Sequence, residues 1–264
     1  MPVMFANADM STATVRGTIK GMGTRANPAF AVAIVFLPLA ALGYAVTMGS
    51  IQTHTYVHVM AGVLLTGIDL FMGAVLGPVV GGLDDEESAA VFERLTPKTA
   101  FLLPTLATVT IAGGITLVQR IGYALPDAWL AVFTAVNLIP VMLLLGWRLK
   151  AWHDWRWQAA TAVVTAGSLA WVGLTVDGLG YVEPTVAVAL ALVTVLSVQG
   201  FGFLMPGEIR IYKQMQSANP DAAVIAAVGK QNAMLGGVQG VFQLLLILDM
   251  VYLRYAGFPS WVPL

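Results

Sequence analysis

An aspartate and two histidines stand inside a membrane-length apolar run, Gln52 to Gly82, with the sequence QTHTYVHVMAGVLLTGIDLFMGAVLGPVVGG. In a helix, His54, His58, Gly62, Leu65 and Asp69 follow i, i+4, i+8, i+11, i+15 spacing and share one face. At 1.5 Å per residue, Asp69 lies about 16 Å below His58, near the centre of a hydrocarbon core about 30 Å thick. A carboxyl group at that depth is costly in lipid, so Asp69 is expected to face protein or a water-filled cavity, be protonated, or be paired. There it can carry a proton, hold a cation or answer a positively charged substrate, which makes it the candidate catalytic group.

His54 and His58, one turn apart, are spaced to meet one ion or cofactor, as imidazoles do for zinc, copper or iron. Met48 adds a thioether suited to copper(I), and Asp249 approaches the same layer. A haem held by two histidines needs a second histidine at this level, which the chain lacks. A single axial histidine, or ligation across a homodimer, stays open, as does an interfacial pair with no ligand. His153, in AWHDWRW, lies at the opposite surface. The other polar residues inside apolar stretches are Thr105, Thr108, Thr110, Asn137, Gln199, Gln239 and Gln243. Asn137, Gln199, Gln239, Gln243 and Asp249 make up a candidate substrate path; the alternative for the uncharged members is interhelical hydrogen bonding.

The elements that must position these groups follow from composition. Hydrophobic residues make up 58% of the 264, charged residues 10%, and mean hydropathy is +0.80, far from a soluble domain. The partner this implies is the lipid bilayer. The absence of cysteine excludes disulfides, thiolate metal sites and iron–sulfur clusters. A net charge of −1 with scattered basic residues leaves no nucleic-acid footprint.

Seven stretches are long enough to span, about 29–49, 57–81, 99–119, 127–147, 157–179, 184–205 and 232–253. The expected fold is therefore an all-α integral membrane protein, a seven-transmembrane helix bundle of one domain over residues 29–264. Residues 1–28 precede it as a retained cytoplasmic tail, since no apolar core with a cleavage site is present. Eleven Lys and Arg fall on one side of the spans and only Arg120 and Arg254 on the other, which puts the N-terminus inside and the C-terminus outside. The plasma membrane of a prokaryote is the expected location. Trp147, Trp152, Trp155 and Trp157 on one side, and Trp129 and Trp261 on the other, read as interfacial belts.

The second loop, GGLDDEESAAVFERLTPK, reads as an acid-capped surface helix leading into the third span. Its approach from Gly73, GAVLGP, is echoed from Gly200 by GFGFLMP, each followed by an Ala-rich helical segment and another span. This suggests a parallel pseudo-repeat of spans 2–3 and 6–7. Gly73/Gly77/Gly81 and Gly236/Gly240 form GxxxG faces that predict close packing of spans 2 and 7.

Span 7 carries no lysine for a retinal Schiff base, which excludes a working heliorhodopsin. The chain resembles instead the superfamily of small polytopic membrane proteins that includes the copper-resistance D domain and the HemJ-type protoporphyrinogen oxidases. The residues are His58-Val-Met-Ala-Gly-Val-Leu-Leu-Thr-Gly, then Asp69-Leu-Phe-Met-Gly, Leu76-Gly-Pro78, Arg94-Leu-Thr-Pro97 and the stretch from Asp221 through Lys230 to Met250, about half the chain. The resemblance implies haem or copper binding at His58. It departs from the family pattern at Asp69, where an apolar or aromatic residue is expected, and in lacking the family's other histidine or lysine. Three functions follow as expectations: a metal- or haem-handling protein with His58 and His54 as ligands, a proton-coupled transporter or channel using Asp69, and a non-catalytic subunit of a larger membrane complex. The implied partners are a second copy of the chain or other membrane subunits.

Overall fold

The computed structural model describes residues 15–255, so Trp261, the first half of the expected tail and the expected outward C-terminus lie outside the described residues. Among the described residues every regular element is helical. A short helix α1 (Val15–Ala26) precedes seven helices long and apolar enough to cross a membrane: α2 (Pro28–Thr47), α3 (Ile51–Gly81), α4 (Asp85–Arg120), α5 (Asp127–Arg148), α6 (Trp155–Gly178), α7 (Pro184–Met215) and α8 (Ala222–Tyr255). This is the architecture of a multi-pass membrane protein. The ends that gather Arg94, Lys98, Arg148, Lys150, Arg156, Arg210 and Lys213 are called the basic end below, and the opposite side the far end.

Local chemistry sets the helix starts. The side chains of Asn27, Ser50, Asp84 and Asp154 each accept from a backbone N–H of the first turn, at Ala29, Thr53, Glu87 and Arg156. Proline occupies the first helical position at Pro28 and Pro184, where its missing N–H costs nothing. At the far end Arg120 donates to the carbonyls of Ala45 at 2.8 Å and Gly49 at 2.5 Å, covering the C-terminal carbonyls of α2.

Three span boundaries move. The acidic loop does not form a separate surface helix; it runs without a break from Asp85 into the third span, through Pro97 and Pro104. Its first turns are held by packing, because Ala89 and Phe92 are buried with Met22 of α1, Val80, Ile211, Tyr212, Ile225 and Val228 in the core of the basic end. Gly229 leaves the room for Phe92, since a Cβ there would overlap its ring. The same core draws the last span back to Ala222 and the sixth forward to Met215. Helix α1, inside the segment read as a free tail, also docks there: Gly21 lies against the Tyr212 hydroxyl and Arg25 donates to the Met215 carbonyl.

Helices α3 and α7 each carry a π-helical turn, at Met72–Leu76 and Gly200–Leu204, and each resumes α geometry at a segment whose second residue is proline, Pro78 and Pro206. The proline supplies no N–H to the i→i−4 ladder, and the wider turn absorbs the interruption. Helices α3 and α8 meet at glycine, as the GxxxG spacing predicts: a Cβ on Gly237 would lie 2.8 Å from the Gly73 Cα. Helices α2 and α6 are peripheral, each with 11% of its most apolar window buried, and present Phe36, Leu37, Val163 and Leu174 outward. The polar residues collect between α3, α4, α7 and α8.

Candidate functional site

Helix α4 packs closely against the Met205–Met215 part of α7 at the basic end; its backbone stands off the Pro184–Gln199 part towards the far end, where Ile115 and Val118 reach the Leu125, Val182 and Val186 core through side chains. The two helices therefore splay, and a cleft of about 1780 Å³ runs between them, with α3 and α8 as its back wall. Its lining is mostly apolar. The polar groups along it include His58 and Thr110 towards the far end, Asp69, Gln239 and Gln243 in the middle, and Glu208 and Asn232 at the basic end.

Asp69 is 2% exposed, and its Oδ2 accepts a hydrogen bond of 2.8 Å from Gln243 Nε2. The glycine contact places it there. Gly236 lies alongside, where a Cβ would stand 3.7 Å from Asp69 Oδ1, so the carboxylate sits directly on the α8 backbone. Gln239, one turn earlier on α8, donates to the Leu196 carbonyl at 3.3 Å and packs on Gly200 of the second π turn. The amide oxygens of Gln239 and Gln243 are buried and have no hydrogen-bond partner among the described residues. No cation pairs with Asp69; the one ion pair among the described residues, Lys230 with Asp85 at 3.7 Å, lies at the surface of the basic end.

Glu208 is the residue that sequence reasoning missed. Its carboxylate accepts from Asn232 Nδ2 at 3.1 Å and from Thr99 Oγ1 at 3.5 Å, which ties α7, α8 and α4 together at the base of the cleft. Asn232 also donates to the Leu204 carbonyl, and Gly207 leaves space for it. The signal was an acid directly after Pro206-Gly207, hidden because it falls just past residue 205, where the sixth span was expected to end.

The histidines separate. His54 is fully buried and its Nε2 meets Thr116 Oγ1 at 3.2 Å. The Nδ1 of His58 donates to the Thr110 carbonyl at 2.9 Å, and its ring lies on Gly113 and Gly114. A carbonyl only accepts, so Nδ1 carries the proton and the neutral ring has its lone pair on Nε2. Met48, at the end of α2, is 78% exposed, and neither it nor His54 lines the cleft with His58. Among the described residues no three His, Asp or Glu side chains assemble to hold a metal ion.

Of the remaining path candidates only Gln239 and Gln243 line the cleft. Asn137 bonds to the Phe133 carbonyl and to Thr194 across the α5–α7 contact, and Gln199 donates to the Leu235 carbonyl of α8 at 2.8 Å. Asp249, as buried as Asp69 at 2% exposure, lies off the cleft, and neither carboxylate oxygen has a hydrogen-bond partner among the described residues. Thr105, Thr108 and Thr110 return their hydroxyls to carbonyls of their own helix. Set against protein-family models, curated proteins and solved structures, the chain matches none.

Proposed function

We propose that this protein is a proton-coupled membrane transporter in which Asp69 takes up and releases the proton. The observation that carries the reading is the carboxylate itself: near the middle of a membrane-length helix, buried, without a cation partner and facing a large cleft. An ionisable group kept there at an energetic cost, with a single neutral donor to orient it, is suited to changing charge during a cycle. The splayed helices also suit alternating access. Contacts of Glu208 with Thr99 and Asn232 close α4, α7 and α8 on one another near one end, while the backbones of α4 and α7 stand apart towards the other. The matched π turns, each followed by proline, support a parallel pseudo-repeat of α3–α4 and α7–α8 whose interface is the cleft. On the positive-inside rule the basic end faces the cytoplasm, so this closure is the inner one.

The test is proton movement into proteoliposomes under an imposed pH gradient, followed with an entrapped pH-sensitive dye. The expected result is movement above protein-free vesicles that falls to background in Asp69→Asn, with folding intact by circular dichroism. Wild-type protein that moves no protons, or an Asp69→Asn variant that moves them undiminished, overturns the reading.

One observation favours a second reading, haem handling. With Nδ1–H fixed on the Thr110 carbonyl, His58 lines the cleft with a Nε2 that has no hydrogen bond among the described residues and could bind an iron. The residues fit a haem held by His58 alone, which would supply one-electron chemistry to the cleft. They do not bring His54 or Met48 to it. A Soret band in the purified protein that disappears in His58→Ala supports this reading, and a colourless wild-type protein removes it.

A further inference from the structure

The middle of the cleft gathers acceptors that lack a donor. Asp69 has its carboxylate there, and the amide oxygens of Gln239 and Gln243 are buried without partners. One N–H of each amide is already used, that of Gln243 on Asp69 and that of Gln239 on the Leu196 carbonyl. A guest that satisfies this set brings a positive charge and several N–H donors of its own. A hard metal ion is a poor match, since it takes about six or more oxygens in a close shell. It would also leave the rest of a 1780 Å³ apolar cleft without an occupant.

The remainder of the cleft sets the guest's body. Towards the far end it is walled by Val186, Leu190 and Val193 of α7 and Leu246, Ile247 and Met250 of α8. It opens where the backbones of α4 and the first part of α7 stand apart, along helices apolar enough to lie in hydrocarbon. A molecule entering there comes from the membrane and is itself apolar over most of its length. The charge and the donors belong at one end of it.

We propose that Asp69, Gln239 and Gln243 bind the ammonium head of a lipophilic primary amine whose apolar body fills the cleft between α4 and α7. This rests on the transport reading, in which the amine is the cargo exchanged against the proton. The three oxygens take up the ammonium donors, and the charge of Asp69 is matched by the guest.

The experiment is equilibrium binding of radiolabelled dodecylammonium to the protein in nanodiscs free of amino lipids, with empty nanodiscs as the blank. Dodecyltrimethylammonium, with the same chain and charge but no N–H, is the comparison. Wild-type protein is expected to show saturable dodecylammonium binding, about tenfold tighter than for the trimethyl probe. Asp69→Asn should weaken it by about tenfold or more. Gln239→Leu and Gln243→Leu should each cost about threefold for dodecylammonium and nothing for the trimethyl probe. Gln239→Glu, which keeps the side-chain length and adds a charge, should tighten both and guards against a variant that fails to fold. No saturable binding, equal binding of the two probes, or unchanged binding in Asp69→Asn overturns the proposal. Proton movement lost in Asp69→Asn without saturable amine binding keeps the transporter and removes this cargo; Asp69-dependent binding without proton movement keeps the site and removes the transporter.

Discussion

Two carboxylates line one cleft, and they are held in opposite ways. Glu208 accepts from side chains of two neighbouring helices, Thr99 on α4 and Asn232 on α8, so removing it unfastens three helices at once. Asp69 accepts one bond, from Gln243, and stands next to amide oxygens that have nothing to bond to. A carboxylate that joins helices is explained by the fold. One that faces a cleft among idle acceptors is not, and the proposed proton and amine are what would account for it.

The sharpest way to break this contrast is to separate the helices behind Asp69. Gly237→Leu places a side chain where the Gly73 Cα already lies 2.8 Å from a single added Cβ, so α8 must move away from α3. Overpacking of this kind costs about 3 kcal/mol. Thermal unfolding in detergent should show the loss, and amine binding and proton movement should go with it. A Gly237→Leu protein of wild-type stability would mean that the glycine contact does not position Asp69.

Next in size is Glu208→Ala, which takes the acceptor from one amide N–H of the buried Asn232, while Thr99 keeps the Leu95 and Thr96 carbonyls of its own helix. The expected loss is about 2 kcal/mol in the same unfolding assay, with Glu208→Gln recovering part of it. Asp69→Asn should cost less than about 1 kcal/mol, because an asparagine oxygen still accepts from Gln243. If the two positions lose equal stability, the division between a fastening and a working carboxylate fails.

The sequence showed one of these groups and hid the other for a physical reason. Asp69 interrupts an unbroken apolar run, where an ionisable residue has no inexpensive neighbour, so its oddity is visible without any coordinates. Glu208 sits where apolar and basic residues mix, and its enclosure comes from α4 and α8, which are distant in sequence. The seven helices were legible for the same reason as Asp69, since their length and hydropathy are local properties. The continuity of α4 through Pro97 and Pro104 was not, because the packing of Phe92 against Tyr212 and Val228 overrides the signals that suggested a break. The histidine pair illustrates the limit of spacing: His54 and His58 are one turn apart on α3, but each ring is claimed by a different group of α4, Thr116 and Thr110.

The smallest effect tests whether every buried amide belongs to the cleft. Gln199 lies beside the second π turn and only one helical position from Gly200, which packs on Gln239, yet it does not line the cleft. Its Nε2 donates to the Leu235 carbonyl, which lies within α8 and keeps its own i→i−4 partner when the side chain is removed. Gln199→Leu should therefore cost about 0.6 kcal/mol in unfolding, the average for such a bond between membrane helices. It should leave dodecylammonium binding and proton movement at wild-type levels. A large loss of binding in this variant, with stability retained, would place Gln199 among the working groups. The boundary between fastening and function would then run through the polar face of α7 rather than between Glu208 and Asp69.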